Sequence, residues 1–318
     1  MVEIPPPSQP TVDAIWRARE AEYEADPRSK YEGYGISASA LGSPCDRELW
    51  LMLRWASPQE TFDGRKLRIF ERGNIEEDRV LADLRRAGVE VSREQERFAL
   101  AGGWLRGKVD AVGVGFLEAP KAEHVTEIKS AKAADFRAIK KHGLAKHKPE
   151  HWHQLHTGMA ALGIERGAYV VVNKDSEEIH IERIALDAVE AARQEARVER
   201  IVADDEAPVR IADKPDAFAC KFCKHKALCF ERAMPRRHCR TCIFFSFGKD
   251  GNGHCTKFDE PRSPERQQEG ADCPAQRFLP TLVPGVQTDA AEDASWIEYE
   301  LHNGVVWRDG ADFVEAAE

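Results

Sequence analysis

Two carboxylates and one ammonium group are spaced so that they could bind a divalent cation and activate a water molecule. Asp110 ends the stretch GKVD, and Glu127 and Lys129 lie in the later stretch VTEIKSA. Side chains alternate along a strand, so Glu127 and Lys129 share one face while Ile128 points the other way, into a core. A hairpin between the two stretches places Asp110 beside that pair, at a sheet edge. This combination is suited to the hydrolysis of a phosphodiester.

The eight cysteines divide into two sets of four. The first set is Cys45, Cys220, Cys223 and Cys229. The second set is Cys239, Cys242, Cys255 and Cys273. The start of the chain, MVEIPPPSQP, has neither the basic nor the apolar region of a secretory signal, so we expect metal binding rather than disulfides. Spacing alone leaves an iron–sulfur cluster and zinc open for the first set. A further alternative is that Cys45 is a buried thiol and the triplet binds zinc together with a histidine such as His225.

The second set occupies a short module, residues 236–282. A segment of about 45 residues folds poorly without a bound metal, so we predict a structural zinc site there. Its neighbours Arg236, Arg237 and Arg240 predict a contact with phosphate, and a purely structural knob is the alternative.

Composition and charge restrict the possible partners. The 318 residues are 42% hydrophobic and 32% charged, with a net charge of −9. Apolar runs such as AYVVV are far shorter than the ~20 residues that span a bilayer, and we expect a cytoplasmic protein. The acidic balance does not favour nucleic acid, but phosphate affinity depends on local patches. One such patch consists of Lys140, Lys141, Lys146 and Lys148, for which a solvated loop is the alternative.

Hydrophobic periodicity predicts a mixture of helices and strands. Helices are predicted at 11–26, through DRELWLMLRW with Ser37 or Ser39 as a cap, at 66–88, and at 133–143, 149–164 and 187–204. Strands are predicted at 89–93, 96–100, 104–116 and 125–131, followed by a hairpin over 168–184 and one strand-like piece, EYELHNGVVWRDG. This order indicates an α/β domain with a mixed sheet.

An ordered series of motifs resembles the PD-(D/E)XK nuclease superfamily. The resemblance is to its RecB-like branch, which includes CRISPR-associated and phage exonucleases carrying an iron–sulfur cluster. It runs from about residue 35 to 232. The motifs, in chain order, are ISASALGSPCDRELWL, RGNIEE, GKVD, EIKS, KPEHWHQLHTGM and CKFCKHKALC.

The resemblance implies roles for particular residues. It implies Mg2+ or Mn2+ bound by Glu77, Asp110, Glu127 and the carbonyl oxygen of Ile128. Lys129 would orient the attacking water, and Gln154 would position the scissile strand or the lysine. A 4Fe–4S cluster is implied on the first cysteine set. The nearby histidines 151, 153 and 156 cannot share one metal on a regular helix, so we expect them to be solvated or to face DNA.

The resemblance also implies a domain plan and an activity. We expect an N-terminal extension over 1–30, a restriction-endonuclease-like core over 31–235, the zinc-like module over 236–282 and an appendage over 283–318. The expected activity is that of a metal-dependent DNA exonuclease of phage or bacterial type, with a possible recombination or replication partner protein and no membrane contact. The alternatives are a structure-selective endonuclease or nickase on the same core, and a non-catalytic DNA-binding scaffold.

Overall fold

A computed structural model describes residues 9–26, 34–249 and 251–310. Its helices are α1 (Pro10–Ala25), α2 (Asp46–Leu53), α3 (Gly64–Arg86), α4 (Ala133–His142), α5 (Leu144–His147), α6 (Pro149–Leu162), α7 (Ala188–Ala203), α8 (Lys226–Phe230) and α9 (Pro264–Gln268). Its strands are β1 (Ile36–Ser37), β2 (Glu90–Ser92), β3 (Arg97–Leu100), β4 (Leu105–Lys108), β5 (Ala111–Val114), β6 (His124–Ala131), β7 (Arg166–Asn173), β8 (Ile179–Ala185), β9 (Phe245–Phe247), β10 (Gly253–Cys255), β11 (Glu260–Arg262), β12 (Gly285–Ala290), β13 (Ile297–Leu301) and β14 (Val306–Asp309). None of these helices is both long and apolar enough to cross a membrane.

The main sheet has five strands in the order β2-β5-β6-β7-β8. Strands β6 and β7 run parallel, and the other neighbours pair antiparallel. Strand β7 is buried along almost its whole length, as expected for a strand covered by helices on both faces. The predicted α/β architecture with a mixed sheet flanked by helices is therefore confirmed.

Each face of this sheet packs against a different helical layer. On one face, Leu155 and Met159 of α6 pack with Tyr169 of β7. On the other face, Leu84 of α3 packs with Ile128 of β6. Because side chains alternate along β6, Glu127 and Lys129 must point toward the α6 layer and not toward the α3 layer.

Helix α3 is fixed at both ends. The Asp63 carboxylate caps its N-terminus by accepting a hydrogen bond from the backbone N–H of Lys66 at 2.7 Å. The helix ends before Gly88, which has φ +89° and so adopts a conformation that favours glycine. The two fixed ends of the helix determine where Glu77 lies relative to the sheet.

The predicted strand 104–116 is two strands in two different sheets. Strand β4 lies between β1 and β3 in a three-stranded sheet, whereas β5 belongs to the main sheet. The break falls at Val109 and Asp110, which lie between the two strands. Sheet membership is not visible in this segment, so the sequence alone did not reveal the break.

The capping prediction for α2 is also wrong. Ser37 accepts a hydrogen bond from the backbone N–H of Ser39 and caps the short 3-10 helix Ala38–Gly42. Cys45 occupies the N-cap position of α2 and makes no side-chain capping bond. Its thiol therefore does not cap the helix.

The C-terminal region contains two further three-stranded sheets, β11-β10-β9 and β12-β13-β14. The predicted single strand in EYELHNGVVWRDG is the hairpin β13–β14. Phe278, Val283, Ile297 and Tyr299 share one apolar cluster, which crosses the boundary predicted between residues 282 and 283. The domain boundaries themselves stay predictions.

A buried arginine connects the second cysteine region to the rest of the chain. The Arg240 guanidinium lies 3.6 Å from the ring centroid of Trp55 and donates hydrogen bonds to the Leu53 carbonyl and to Gln267, both at 2.7 Å. Its side chain is fully buried. The prediction that Arg240 contacts phosphate is therefore wrong.

Candidate active site

Asp110 is held at the start of β5 by the backbone of the neighbouring strand. Its Oδ2 accepts a hydrogen bond from the backbone N–H of Ile128 at 2.7 Å. The antiparallel register pairs Ala111 with Thr126, so Asp110 comes opposite Glu127. The structure thus brings together the two carboxylates that the sequence predicted to be neighbours.

Glu127 and Lys129 lie on β6, which is an inner strand of the main sheet. The prediction that the site lies at a sheet edge is wrong. The side chain of Glu127 is 2% exposed and that of Lys129 is 29% exposed, and the two form an ion pair. The ammonium of Lys129 therefore remains accessible to solvent while Glu127 is enclosed.

Glu77 reaches the site from the α3 layer. Gln95 donates a hydrogen bond to the Glu77 carboxylate, and Lys108 donates to the side-chain oxygen of Gln95. Burial raises the pKa of Glu77, and the charge of Asp110 raises it further. Glu77 and Asp110 are thus close enough to repel each other. The sequence does not indicate this chain through Gln95 and Lys108.

Carboxylate groups outnumber ammonium groups in the candidate site. Burial raises the pKa of Glu127 to about 7, the Lys129 ammonium opposes this rise, and the charges of Asp110 and Glu77 add to it. Burial lowers the pKa of Lys129, but Glu127 and Asp110 more than offset this effect, so its pKa is raised overall. Three acidic groups with two ammonium groups, those of Lys108 and Lys129, would be stabilised by a further cation.

Helix α6 covers this face of the sheet with a histidine. The Nδ1 atom of His151 lies 2.8 Å from the hydroxyl oxygen of Tyr169, and Tyr169 pairs with Glu127 across the strands. Burial lowers the pKa of His151 to about 3, so the imidazole is neutral. Gln154 lies one helical turn further on and is half-buried. Within the described ranges, no hydrogen bond joins Gln154 to the acidic groups.

The prediction that the three histidines are solvated or face DNA is wrong for His156, whereas His151 and His153 are half-buried. Besides the contact of His151 with Tyr169, His153 lies 3.0 Å from Glu190, and His156 is fully buried and accepts a hydrogen bond from the backbone of Asp187. The spacing His151, Leu155, Met159 follows the buried face of the helix and could have predicted the burial of His151.

The donor types in the acidic site suit a divalent cation, but the placement of the described side chains does not form a metal-binding group. In the ranges that the structure describes, no group of three or more His, Cys, Asp or Glu side chains is placed so that it could hold a metal ion. The fit rests instead on the donor set, since carboxylate oxygens are ligands that Mg2+ and Mn2+ prefer. A bound cation would oppose the rise in the pKa of Glu127 that burial and the neighbouring carboxylates cause.

All four cysteines of the first set line one narrow cavity of about 20 Å³. Burial raises the pKa of Cys220, and the neighbouring Cys45 and Cys229 raise it further. His225 lines the same cavity. Its Nδ1 atom lies 2.7 Å from the Ser57 hydroxyl, and its buried Nε2 atom has no hydrogen-bond partner among the described residues. The donor types present are those of four thiolates or of three thiolates and an imidazole, although the described side chains are not placed as a metal-binding group.

The four cysteines of the second set line a larger cavity, of about 270 Å³. Burial raises the pKa of Cys239 to about 11, and the three other cysteines of the set add to this rise against the opposing charge of Arg262. The thiols thus lie close together, and a metal would have to displace their protons. Cavity volume by itself would place the larger cofactor here and not in the first set.

The four lysines of the predicted basic patch differ in their ion pairs. Lys140 lies 2.6 Å from Glu178, and Lys148 lies 3.7 Å from Glu150. Lys141 and Lys146 are exposed and make no ion pair with any residue in the described ranges. Only these two lysines offer uncompensated charge.

Comparison with known proteins gives similarity to solved structures alone. No protein-family model matches the sequence, and no curated protein is significantly similar to it. The chain is similar to the alkaline exonuclease LHK-Exo from Laribacter hongkongensis, with 18% identity and a TM-score of 0.39 over 60% of this chain and 91% of that one. The structure of LHK-Exo in complex with dAMP has 20% identity and a TM-score of 0.38, covering 54% of this chain and 87% of that one. The structure of SSO0001 has 17% identity and a TM-score of 0.40, covering 70% of this chain and 98% of that one. Similarity at this level assigns no function.

Proposed function

We propose that this chain is a metal-dependent deoxyribonuclease that hydrolyses phosphodiester bonds at DNA ends. One observation carries the proposal: the carboxylates of Glu77, Asp110 and Glu127 crowd around the ammonium of Lys129 on an inner strand, and the pKa of Glu127 is raised to about 7. Such crowding has no structural benefit, whereas it prepares a site for a divalent cation.

Mg2+ or Mn2+ would be held by Glu77, Asp110, Glu127 and the carbonyl oxygen of Ile128. The chemistry expected of the bound ion is polarisation of a phosphoryl oxygen and activation of a water molecule. The backbone N–H of Ile128 fixes the orientation of the Asp110 carboxylate, so this ligand needs little rearrangement on binding. The core would then be of the restriction-endonuclease-like type that the motifs resemble.

Lys129 would stabilise charge that develops on the phosphate. Its ion pair with Glu127 holds the ammonium in place, and its raised pKa keeps it protonated at neutral pH. A fixed positive charge beside a developing negative charge lowers the barrier without reorganisation of solvent. Gln154 lies on the helix that covers the same face and would position the scissile strand.

The two cysteine cavities would hold structural metal centres. We assign a 4Fe–4S cluster to Cys45, Cys220, Cys223 and Cys229, and zinc to Cys239, Cys242, Cys255 and Cys273. The first assignment rests on the resemblance, since both cavities present four sulfur donors. Neither centre is needed for hydrolysis. Each would fix loops that have little regular secondary structure of their own.

Phosphates of bound DNA would contact the exposed lysines of the basic patch. Lys141 and Lys146 are the main candidates, since Lys140 and Lys148 are already paired with carboxylates. A recombination or replication partner and a phage-type origin are parts of the same proposal and follow from the resemblance, and a cytoplasmic location is part of it as well.

Digestion of labelled DNA tests this function. Linear duplex DNA labelled at one end and closed circular DNA of the same sequence are incubated with the protein in Mg2+ or Mn2+. Degradation of the linear form alone is the expected result. Nicking or linearisation of the circle would favour the endonuclease alternative, and binding without hydrolysis would favour the scaffold. Asp110→Asn serves as the inactive control.

A further inference from the structure

Two aromatic side chains project into solvent from the loop that carries the cysteine triplet. Phe218 is 96% exposed and Phe222 is 85% exposed. In the sequence, Cys220 lies between the two phenylalanines and Cys223 follows the second. Both cysteines line the first cysteine cavity, and Cys220 is buried. The inward cysteines thus fix a backbone from which both rings point away from the protein. Two large exposed rings so close in sequence make this loop a candidate interaction site.

The surroundings of the rings are basic. Four lysines lie in the same segment: Lys214, Lys221, Lys224 and Lys226. The Nζ atom of Lys221 lies 5.3 Å from the ring centroid of Phe222. Residues 210–232 contain six Lys and Arg against three Asp and Glu, a surplus of three positive charges in a chain with a net charge of −9. The partner of this surface should therefore carry negative charge.

A wide cleft adjoins the first cysteine cavity. It has a volume of about 750 Å³ and is lined by three arginines, Arg47, Arg210 and Arg232. Arg210 and Cys229 line both this cleft and the first cysteine cavity, so the two are contiguous. The Arg210 guanidinium also lies 5.2 Å from the ring centroid of Phe230. Cationic groups thus lie against aromatic rings at two places in this segment.

We propose that this face binds single-stranded DNA, with bases stacked on Phe218 and Phe222 and phosphates contacting the nearby lysines and arginines. We call it the aromatic platform, defined by Phe218, Phe222, Lys221 and Lys224. Unpaired bases offer π faces to exposed rings, whereas bases in a duplex are already stacked on each other. An apolar protein partner would not require this surplus of positive charge. The inference rests on the proposed function and identifies where a strand is held outside the acidic site.

Substitutions at the rings separate stacking from simple apolar contact. Phe218→Leu combined with Phe222→Leu keeps apolar bulk but removes both π faces, and Phe218→Tyr combined with Phe222→Tyr keeps them. The matched control is Leu117→Ala, at an apolar side chain that is 87% exposed elsewhere on the surface. Binding of a fluorescent oligo(dT) is measured by anisotropy without added divalent metal, in the full-length Asp110→Asn protein so that no strand is hydrolysed.

The leucine variant should bind oligo(dT) about tenfold more weakly for each ring removed, while the tyrosine variant and the control bind as the parent does. An oligonucleotide of the same length with abasic sites should bind the parent and the leucine variant equally, because it offers no base to stack. Wild-type affinity of the leucine variant for oligo(dT), or equal affinity of the parent for oligo(dT) and the abasic strand, would overturn the proposal. The second comparison uses only the parent and holds even if a variant does not fold.

Failure of the platform can be distinguished from failure of the nuclease. Hydrolysis of linear duplex DNA in Mg2+ by the wild type reports on the acidic site alone. Hydrolysis together with unchanged binding by the leucine variant would refute the platform and leave the nuclease intact. Loss of binding by the leucine variant in a protein that hydrolyses nothing would support the platform as a binding surface and refute the enzyme.

Discussion

The acidic site and the first cysteine cavity have opposite effects on the stability of the fold. The acidic site uses residues 110–129 of two neighbouring strands together with Glu77 of α3, and the charge of Asp110 raises the pKa of both Glu77 and Glu127. The cysteine cavity joins Cys45 to a triplet at the far end of the core, where regular structure is sparse. Charge crowding in the first region opposes folding, whereas a metal in the second would support it. Substitutions in the acidic site should therefore change activity without lowering stability. Substitutions in the cysteine cavity should change both together.

The largest expected effect is on catalysis at the acidic site. Asp110→Ala or Lys129→Ala should reduce the rate of DNA hydrolysis by ~10²–10³ or more, because each removes charge stabilisation at the transition state. The melting temperature should stay near the wild-type value. Initial rates on end-labelled linear DNA and thermal unfolding together check this prediction. A variant that cuts at the wild-type rate would remove the residue from the site.

The second expected effect is selective loss of metal. Cys45→Ala should lose iron, retain zinc and destabilise the protein, because it removes the link between the two ends of the core. Cys255→Ser should lose zinc and retain iron and colour. Elemental analysis of anaerobically purified variants measures both metals. The arrangement of both cavities allows the reverse assignment, so a Cys45→Ala protein that keeps all its iron would move the cluster to the second set.

The alternative ligand in the first cavity has its own test. His225→Ala should leave the iron content unchanged if the four cysteines hold the cluster, since the imidazole already contacts Ser57. Removing it should only create a cavity and lower stability. Loss of metal from His225→Ala, with retention in Cys45→Ala, would support a zinc site of three thiolates and one imidazole.

The pH dependence of stability should report on charge crowding. The pKa of Glu127 is about 7 in the folded protein and near 4.5 in the unfolded chain. The folded state therefore binds more protons between these values. The contribution of Glu127 to stability is complete below about pH 4.5 and is lost as pH rises through about 7. Urea unfolding of metal-free protein across this range should show that loss, and Glu127→Gln should reduce it.

The smallest expected effect concerns the basic patch. Replacing Lys141 and Lys146 by Gln should lower the slope of log affinity against log salt by up to ~0.7–0.9 for each lysine that no longer neutralises a phosphate. The matched pair Lys140 and Lys148 should change the slope less, because carboxylates already neutralise them. Equilibrium titrations of DNA at several salt concentrations measure the slopes. Equal slopes in all three proteins would exclude the patch from the path of the DNA.

The sequence predicted the parts of the site that depend on local geometry. Alternation along one strand and the register of one antiparallel pair are enough to place Asp110, Glu127 and Lys129 together. The break at Asp110 was missed, because the two strands on either side of it enter different sheets. Sheet membership depends on which strands pair over long distances, and one segment does not encode that.

Contacts between layers were the other part that the sequence could not supply. The contact of His151 with Tyr169 and the chain from Lys108 through Gln95 to Glu77 join elements whose packing is set by the whole fold. The burial of Arg240 is of the same kind, since a surface cation and a buried one look alike in sequence. Helical spacing gave a partial signal for His151 alone.

Binding of Mn2+ tests the central claim most directly, namely that the carboxylates on the inner strands form a site for a divalent cation. Calorimetric titration of Mn2+ into the wild type, Asp110→Ala and Cys255→Ser at pH 8 compares the acidic site with the cysteine cavities in one assay. We predict saturable binding in the wild type, its loss in Asp110→Ala and its retention in Cys255→Ser. Equal binding by the wild type and Asp110→Ala, or no binding by the wild type, would contradict the account.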